Sequence, residues 1–361
     1  MPDEEKRTYT GWKDFAQPSK QTEYTAPTPL LDAEGNLLAK GWARSNVFDY
    51  DRARVSPKLR GKEWDFYQIS NGRYMVQLSF ANISIAGYVS AVLVDLAGGK
   101  VLANVMAPFV GGREKYPLPP KGDVPHRYGY TIGSAAFTFD TAENSRTLTF
   151  KAKDIACRFT MDILPHHENI TTVLPFAGMP TRFFMTTKQN CMPCEGVFEY
   201  SGQTCRFSKA DSFCVLDWGR VNTPRHMVWY WGNGAGYLRD AAGQQHLFGF
   251  EITWGIGDES NATETCLFYD GKAHKIGAVD VETFPKPDNY MRPWRFTSQD
   301  GRFNLTMTPT YDHFTDTNLL LLRMVSHQVH GLWNGTAILD DGTVLDIKDL
   351  YAFCEYVENK W

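Results

Sequence analysis

The stretch Phe248-Gly249-Phe250-Glu251-Ile252-Thr253-Trp254 decides how the whole chain is read. Large apolar residues take every second position, with smaller or polar ones between them. Successive side chains of a strand point to opposite faces, so this alternation describes a β-strand rather than a helix. The same period of two recurs with Tyr74, Val76, Leu78 and Phe80, with Leu148, Phe150 and Ala152, and with Phe303, Leu305 and Met307. Between such runs sit Asn71-Gly72, Gly98-Gly99, Ser201-Gly202, Asp270-Gly271, Asp300-Gly301 and Asp341-Gly342. Glycine beside Asn or Asp tolerates the positive φ that two-residue hairpins demand. No long segment has a 3.6-residue period; 317–325 is the nearest and is short. The expected class is antiparallel all-β.

Composition narrows the function. The chain has 361 residues, enough for about two domains. Its 37 Lys and Arg face 41 Asp and Glu, a net charge of −4 that offers no basic footprint for nucleic acid. No apolar run reaches membrane-helix length, since 319–322 is stopped by Arg323. Seven cysteines, an odd number behind an acidic N-terminus without a signal-like apolar stretch, are expected to be reduced thiols of a cytoplasmic protein. The unusual feature is the aromatic load of 10 Trp, 17 Tyr and 23 Phe.

The chain also repeats itself weakly. Gln189 and Gly196 match Gln328 and Gly335, while Gly202, Phe213 and Cys214 match Gly342, Phe353 and Cys354 in the same order. Collinear matches favour duplication. The earlier half carries longer connections, at 111–133 and 164–180. The expected organisation is a flexible N-terminal tail over 1–26 and two β units over 27–220 and 221–361, each able to close into a small barrel around a pocket.

The runs Gly41-Trp42-Ala43-Arg44, Lys62-Glu63-Trp64-Asp65-Phe66-Tyr67, Leu216-Asp217-Trp218-Gly219-Arg220 and Trp229-Tyr230-Trp231-Gly232 resemble the family catalogued as domain of unknown function 2804. So do Gly257-Asp258-Glu259-Ser260-Asn261-Ala262-Thr263-Glu264, Phe268-Tyr269-Asp270-Gly271-Lys272 and His327-Gln328. The resemblance spans roughly 28–361. It implies two tandem antiparallel lipocalin-like (calycin-type) β-barrel units, related to carotenoid hydratases and fungal cyclases of that architecture. It carries no activity onto particular residues, and fold alone does not assign one.

The densest polar constellation lies in 213–269. Asp217-Trp218-Gly219-Arg220 is followed by His226, then Trp229-Tyr230-Trp231, then Glu251, Asp258 and Glu264. An acid pointing into an aromatic-walled cavity would have its pKa raised by desolvation and become a usable general acid. The competing reading pairs these acids with Arg220, Arg239 or Lys272, or leaves them on a solvated face. Glu63 and Asp65 flank Trp64, so both carboxylates face one way and more often bind Arg or Lys than catalyse. Cys191-Met192-Pro193-Cys194 has redox-like spacing but leads into a strand rather than a helix. His166-His167-Glu168 and His327-x-x-His330 lack a clear third metal ligand. Gly232-Asn233-Gly234-Ala235-Gly236 is not followed by the helix that a dinucleotide fingerprint needs.

The expectation is therefore a binder of a small, largely apolar ligand in a barrel pocket, with acid/base hydration, cyclisation or isomerisation as its chemistry. Asp217, Glu264, Asp258, His226 and His327 are the candidate catalytic residues. Trp64, Trp218, Arg220, Trp229, Trp231 and Trp254 are the candidate ligand wall. No cofactor, metal, nucleic acid or membrane partner is expected. A non-catalytic carrier, a carbohydrate-active protein and a β protein with filled cores stand as alternatives.

Overall fold

The computed structural model describes residues 20–281, 289–319 and 322–360. Nearly all regular structure is β, and every hairpin pair is antiparallel. Three short pieces come first: β1 (Thr28–Pro29), β2 (Gly41–Ala43) and β3 (Phe48–Asp49). Next is a meander of β4 (Gly61–Ser70), β5 (Tyr74–Ile83), β6 (Ala86–Asp95) and β7 (Lys100–Val110). After a long connection come β8 (His126–Ile132), β9 (Ala135–Thr141), β10 (Ser145–Ala152) and β11 (Ile155–Asp162). Then follow β12 (Ile170–Phe176), β13 (Met179–Tyr200), β14 (Gln203–Phe207) and β15 (Phe213–Asn222). The second half opens with β16 (His226–Arg239), β17 (Gln245–Trp254), β18 (Cys266–Tyr269), β19 (Lys272–Lys275) and β20 (Val279–Val281). It ends with β21 (Trp294–Ser298), β22 (Phe303–Leu319), β23 (Leu322–Ile338) and β24 (Val344–Lys360).

The first main sheet runs β7-β6-β5-β4-β15-β13-β11-β10-β9-β8, with β12 and β14 also paired to β13 and β2 paired to β12. The second runs β19-β18-β17-β16-β24-β23-β22-β21-β20. The split between them falls between Asn222 and His226. The hairpin dipeptides sit where their chemistry requires. Ser201 and Gly202, and likewise Asp270 and Gly271, hold positive φ at both turn positions (46° and 75°; 47° and 82°), which matches the twist of the flanking strands.

The two closed lipocalin-type barrels expected from the sequence are absent. Among the described residues the end strands β7 and β8 do not pair with each other, nor do β19 and β20, so the sheets stay half-closed. The reason is visible in β13, a 22-residue strand. Its ladder with β15 slips between Gln189 and Met192, where Cys191 has φ 57°. The N-terminal part of β13 pairs with β12 and the C-terminal part with β11. A bulge bends a strand and increases its local twist. Here it sends the chain from one sheet layer into another instead of round a closed cylinder.

Among the described residues four apolar clusters result, one of them a small group of Met75, Val94 and Leu96; the other three organise the molecule. One lies inside the first unit and includes Phe80, Phe137, Phe139 and Trp218. A second lies inside the second unit around Tyr230, Phe250, Trp254 and Trp333. The third lies between the units and joins Phe184 and Val221 of the first sheet to Leu247 and Phe268 of the second. Of the tail expected over 1–26, residues 1–19 lie outside the described residues. Lys20 and Thr22 donate backbone hydrogen bonds to Ser260 and Asn261 of the second half, at 2.9 and 2.7 Å. Among the described residues no helix is long and apolar enough to cross a membrane.

Candidate functional site

The strands that meet at the junction are covered on both faces, and their alternation sorts residues between two environments. On β16, Tyr230 enters the second core while Trp229, Ala235 and Tyr237 face the first unit. On β17, Phe248, Phe250, Ile252 and Trp254 enter the core, which turns Glu251 and Thr253 outward onto the first sheet. Both are buried there. On β24, Cys354 and Tyr356 enter the core and leave Glu355 on the junction face.

Lys188 of β13 stands at the centre. It is 3% exposed, its Nζ lies 2.8 Å from Asp217 Oδ1, and the ammonium sits 4.2 Å from the Trp231 ring centroid. Burial alone would push its pKa down, but Asp217, Glu264 and Glu251 outweigh burial and bring it up to about 12. Glu251 accepts from Asn190 Nδ2 at 3.0 Å and from Trp231 Nε1 at 2.8 Å. Glu264, from the connection after β17, accepts from the Thr186 hydroxyl. Glu355 accepts from Trp229 Nε1 at 3.1 Å and from Gln328 Nε2 at 3.4 Å.

Several carboxyl groups thus share one buried cation, and low-dielectric surroundings do not let all of them ionise. Burial raises Glu251 well above the ordinary carboxylate range, with Lys188 pulling the other way. Burial raises Glu264 as well, again against Lys188. Burial brings Glu355 to about 7, against the hydrogen bond from Trp229. Glu355 therefore titrates near neutral pH.

Beside it a cleft of about 210 Å³ opens between the sheets, lined by Gln68, Asn190, Phe213, Asn233, Tyr237 and Phe353 among others. His330 also lines it, and burial pushes its pKa down to about 3, which keeps the imidazole neutral. Asn233 is 5% exposed and its Nδ2 has no partner. The cleft connects to the acids through amides. Asn190 bonds Glu251, while Gln77 links Gln68 at 3.0 Å to Gln328 at 2.8 Å, and Gln328 in turn bonds Glu355.

The candidates named from sequence separate into groups. Asp217, Glu264, Trp229 and Trp231 meet in the junction cluster. Trp64 also faces the junction, where its ring lies 6.2 Å from Phe184. A Cβ on Gly219 would meet the Trp64 ring at 2.1 Å, so only glycine leaves room for it. Trp218 and Arg220 point instead into the first unit. There Arg220 pairs with Asp65 at 3.0 Å and lies 4.2 Å over the Trp218 ring. Trp254 is a core residue stacked on Tyr230, with centroids 4.6 Å apart. Asp258 is half-buried in a turn and accepts from the Ser260 amide at 3.0 Å. His226 is exposed at the start of β16. His327 lies apart from the junction acids, bonded to Asp312 at 2.7 Å and stacked on Tyr290.

Lys188, Glu355, Gln328, Asn190 and Asn233 were missed as site residues. A signal existed for Glu355, which interrupts the otherwise apolar run Ala352-Phe353-Cys354-Glu355-Tyr356-Val357. A charge inside such a run is either buried with partners or an edge feature. All seven cysteines are free and buried. Burial raises Cys191 and Cys194 well above the ordinary thiol range, which removes thiolate reactivity. Among the described residues no three His, Cys, Asp or Glu groups converge to hold a metal ion.

The geometry defines a class: an antiparallel β protein of two half-closed sheets with a charged, buried junction and a small cleft beside it. The chain belongs to the family described as a domain of unknown function, DUF2804, which matches residues 21–361. No curated protein matches it. Among solved structures it is similar to CghA, at 11% identity and a TM-score of 0.51 over 95% of this chain and 97% of that one. It is also similar to kievitone hydratase from Nectria haematococca, at 11% identity and a TM-score of 0.48 over 95% of this chain and 97% of that one. At such identities the likeness concerns the fold alone.

Proposed function

We propose that this protein binds a small molecule in the cleft between its two sheets and donates a proton to it from the carboxyl cluster behind, with Glu355 as the acid. The carrying observation is that Asp217 pairs with the buried ammonium of Lys188, which also acts on Glu251, Glu264 and Glu355, while Lys275 acts on Glu264 as well. The carboxyl groups outnumber the cations, which favours a proton on Glu355 up to about pH 7. A carboxylic acid poised near pH 7 suits general-acid chemistry. Hydration or isomerisation that begins with protonation of a double bond fits this arrangement. In hydration the acid's proton goes to one carbon, water attacks the other, and the proton lost by water returns to the carboxylate. We take the chain up to Asn222 and the chain from His226 on as the two units whose meeting forms the cleft, a boundary two residues past the expected 220, because β15 runs to Asn222.

The test is mass spectrometry of small molecules retained by the natively purified protein, repeated on Glu355→Gln. The proposal expects a retained compound in both proteins and its conversion only in the parent. A compound converted equally by both would remove Glu355 from the chemistry.

A second reading, a clasp without chemistry, draws on Glu251, whose two oxygens are both taken by Asn190 and Trp231. It predicts that Glu355→Gln alters stability while no small molecule is retained by either protein.

A further inference from the structure

The connection between β7 and β8, residues 111–125, crosses the gap where the first sheet fails to close. It contains Pro117, Pro119, Pro120 and Pro125, which have no backbone N–H and cannot add a strand to either edge. Its carbonyls are captured by side chains of the first unit. Asn82 Nδ2 donates to Tyr116 O at 2.7 Å and the Tyr130 hydroxyl to Pro117 O at 2.6 Å. Arg52 donates to Leu118 O at 2.7 Å, Arg220 to Pro119 O at 2.7 Å and Arg146 to Gly122 O at 2.5 Å.

The charges beneath this strap do not balance. Arg52 pairs with Glu63 and Arg220 with Asp65, at 2.6 and 3.0 Å. Arg146, 1% exposed, has only neutral acceptors: Gln189, Tyr67, Thr141 and the Gly122 carbonyl. On the strap itself, Arg113 reaches Glu63 at 3.9 Å, while Asp123 accepts from the Asn46 amide at 2.6 Å and from Asn169 Nδ2 at 3.2 Å. Four arginines (Arg52, Arg113, Arg146 and Arg220) thus face three carboxylates (Glu63, Asp65 and Asp123), an excess of one positive charge. Two further donors there, Trp218 Nε1 and Arg220 Nε, have no acceptor. Both residues are fully buried. Asp65 Oδ1 and Asp123 Oδ1 also lack a hydrogen-bond partner, so what the site is short of is a negative charge placed on Arg146, which a carboxylate supplies. The surrounding rings of Tyr67, Tyr128 and Phe139 are apolar on their faces.

We propose that the strap is a built-in stand-in for a ligand. Its Pro119 and Gly122 carbonyls fill the acceptor positions of a monocarboxylate with an aromatic or aliphatic body, which binds inside the first unit against Arg146, Arg220 and Trp218 when the strap swings out. Gly111 and Gly112, at φ 121° and 57°, give the strap its hinge. This site is separate from the junction cleft, and Glu355→Gln leaves it intact.

The experiment is calorimetric titration of the full chain with 4-phenylbutyrate and with its neutral amide, joined to hydrogen exchange across 113–124. The parent protein is expected to prefer the carboxylate by about tenfold, since charge-assisted bonds to Arg146 are lost with the amide. Binding should speed exchange in the strap. Arg146→Gln should abolish the preference. Gly122→Ala should raise carboxylate affinity by a few-fold, because its Cβ would lie 2.7 Å from Trp218 Cδ1 and unseat the strap; this variant keeps the test open where Arg146→Gln fails to fold. Equal affinity for acid and amide, no carboxylate binding by either the parent or Gly122→Ala, or binding that leaves strap exchange unchanged would each overturn the proposal.

Discussion

The interior of the second unit and the junction between the units are built from opposite faces of the same strands. Tyr230, Trp254 and Tyr356 fill one; Trp231, Glu251 and Glu355 fill the other. Both places are buried and aromatic, yet of the two it is the junction that gathers Lys188, Asp217, Glu251, Glu264 and Glu355. Replacing a buried ionic cluster by well-packed apolar residues is often neutral or stabilising, so such a cluster is weak evidence for stability. The core shows what these strands do when packing alone sets the residues. The junction shows the same strands with carboxyl groups added at the expense of desolvation. That contrast is the strongest reason to look for chemistry in the junction.

The contrast can be broken at several points. Trp254→Ala removes a fully buried ring from the apolar core and should cost about 3–5 kcal/mol in urea unfolding, with little dependence on pH between 5 and 8. Lys188→Met leaves the junction acids without their cation and should cost about 3 kcal/mol at pH 8. Its cost should shrink as pH falls through about 7 and Glu355 takes up its proton, a pH dependence that the core variant lacks.

Glu355→Gln should act with the sign set by a raised pKa. The folded carboxyl titrates at about 7 and the unfolded one at 4.5. The stabilising share of its protonated form is complete below pH 4.5 and is lost as pH rises through about 7. The amide cannot ionise, so the variant should gain about 1–3 kcal/mol relative to the parent at pH 8 and nothing at pH 4. The smallest effect belongs to Gln77→Leu, which deletes the hydrogen bond to Gln328 between the sheets and should cost about 1 kcal/mol at any pH. A pH-independent, core-like response from both Lys188→Met and Glu355→Gln would erase the distinction between the two regions.

The β class and its turns were legible because period two and Asn-Gly or Asp-Gly pairs are local signals. Closure was not, because it depends on the bulge at Cys191 and on which edge strands meet, neither of which leaves a local pattern. Phe248, Phe250 and Trp254 were legible as one face of a strand. That the opposite face, with Glu251, is also buried was not, since its cover comes from Asn190 and Lys188 some sixty residues away in the chain. The Trp-rich segment 218–254 concentrated attention in the right place but merged three environments. Neighbouring residues such as Trp218 and Asp217, or Tyr230 and Trp231, belong to different compartments because a strand turns each successive side chain over.

The central claim is that the junction holds a proton near neutral pH, and the direct measurement is a carbon-13 NMR titration of the Glu355 side-chain carboxyl, assigned by its loss in Glu355→Gln. The account predicts a midpoint at about 7. A midpoint at the ordinary glutamate value of 4.5 would contradict it and leave the cluster as a clasp between two sheets.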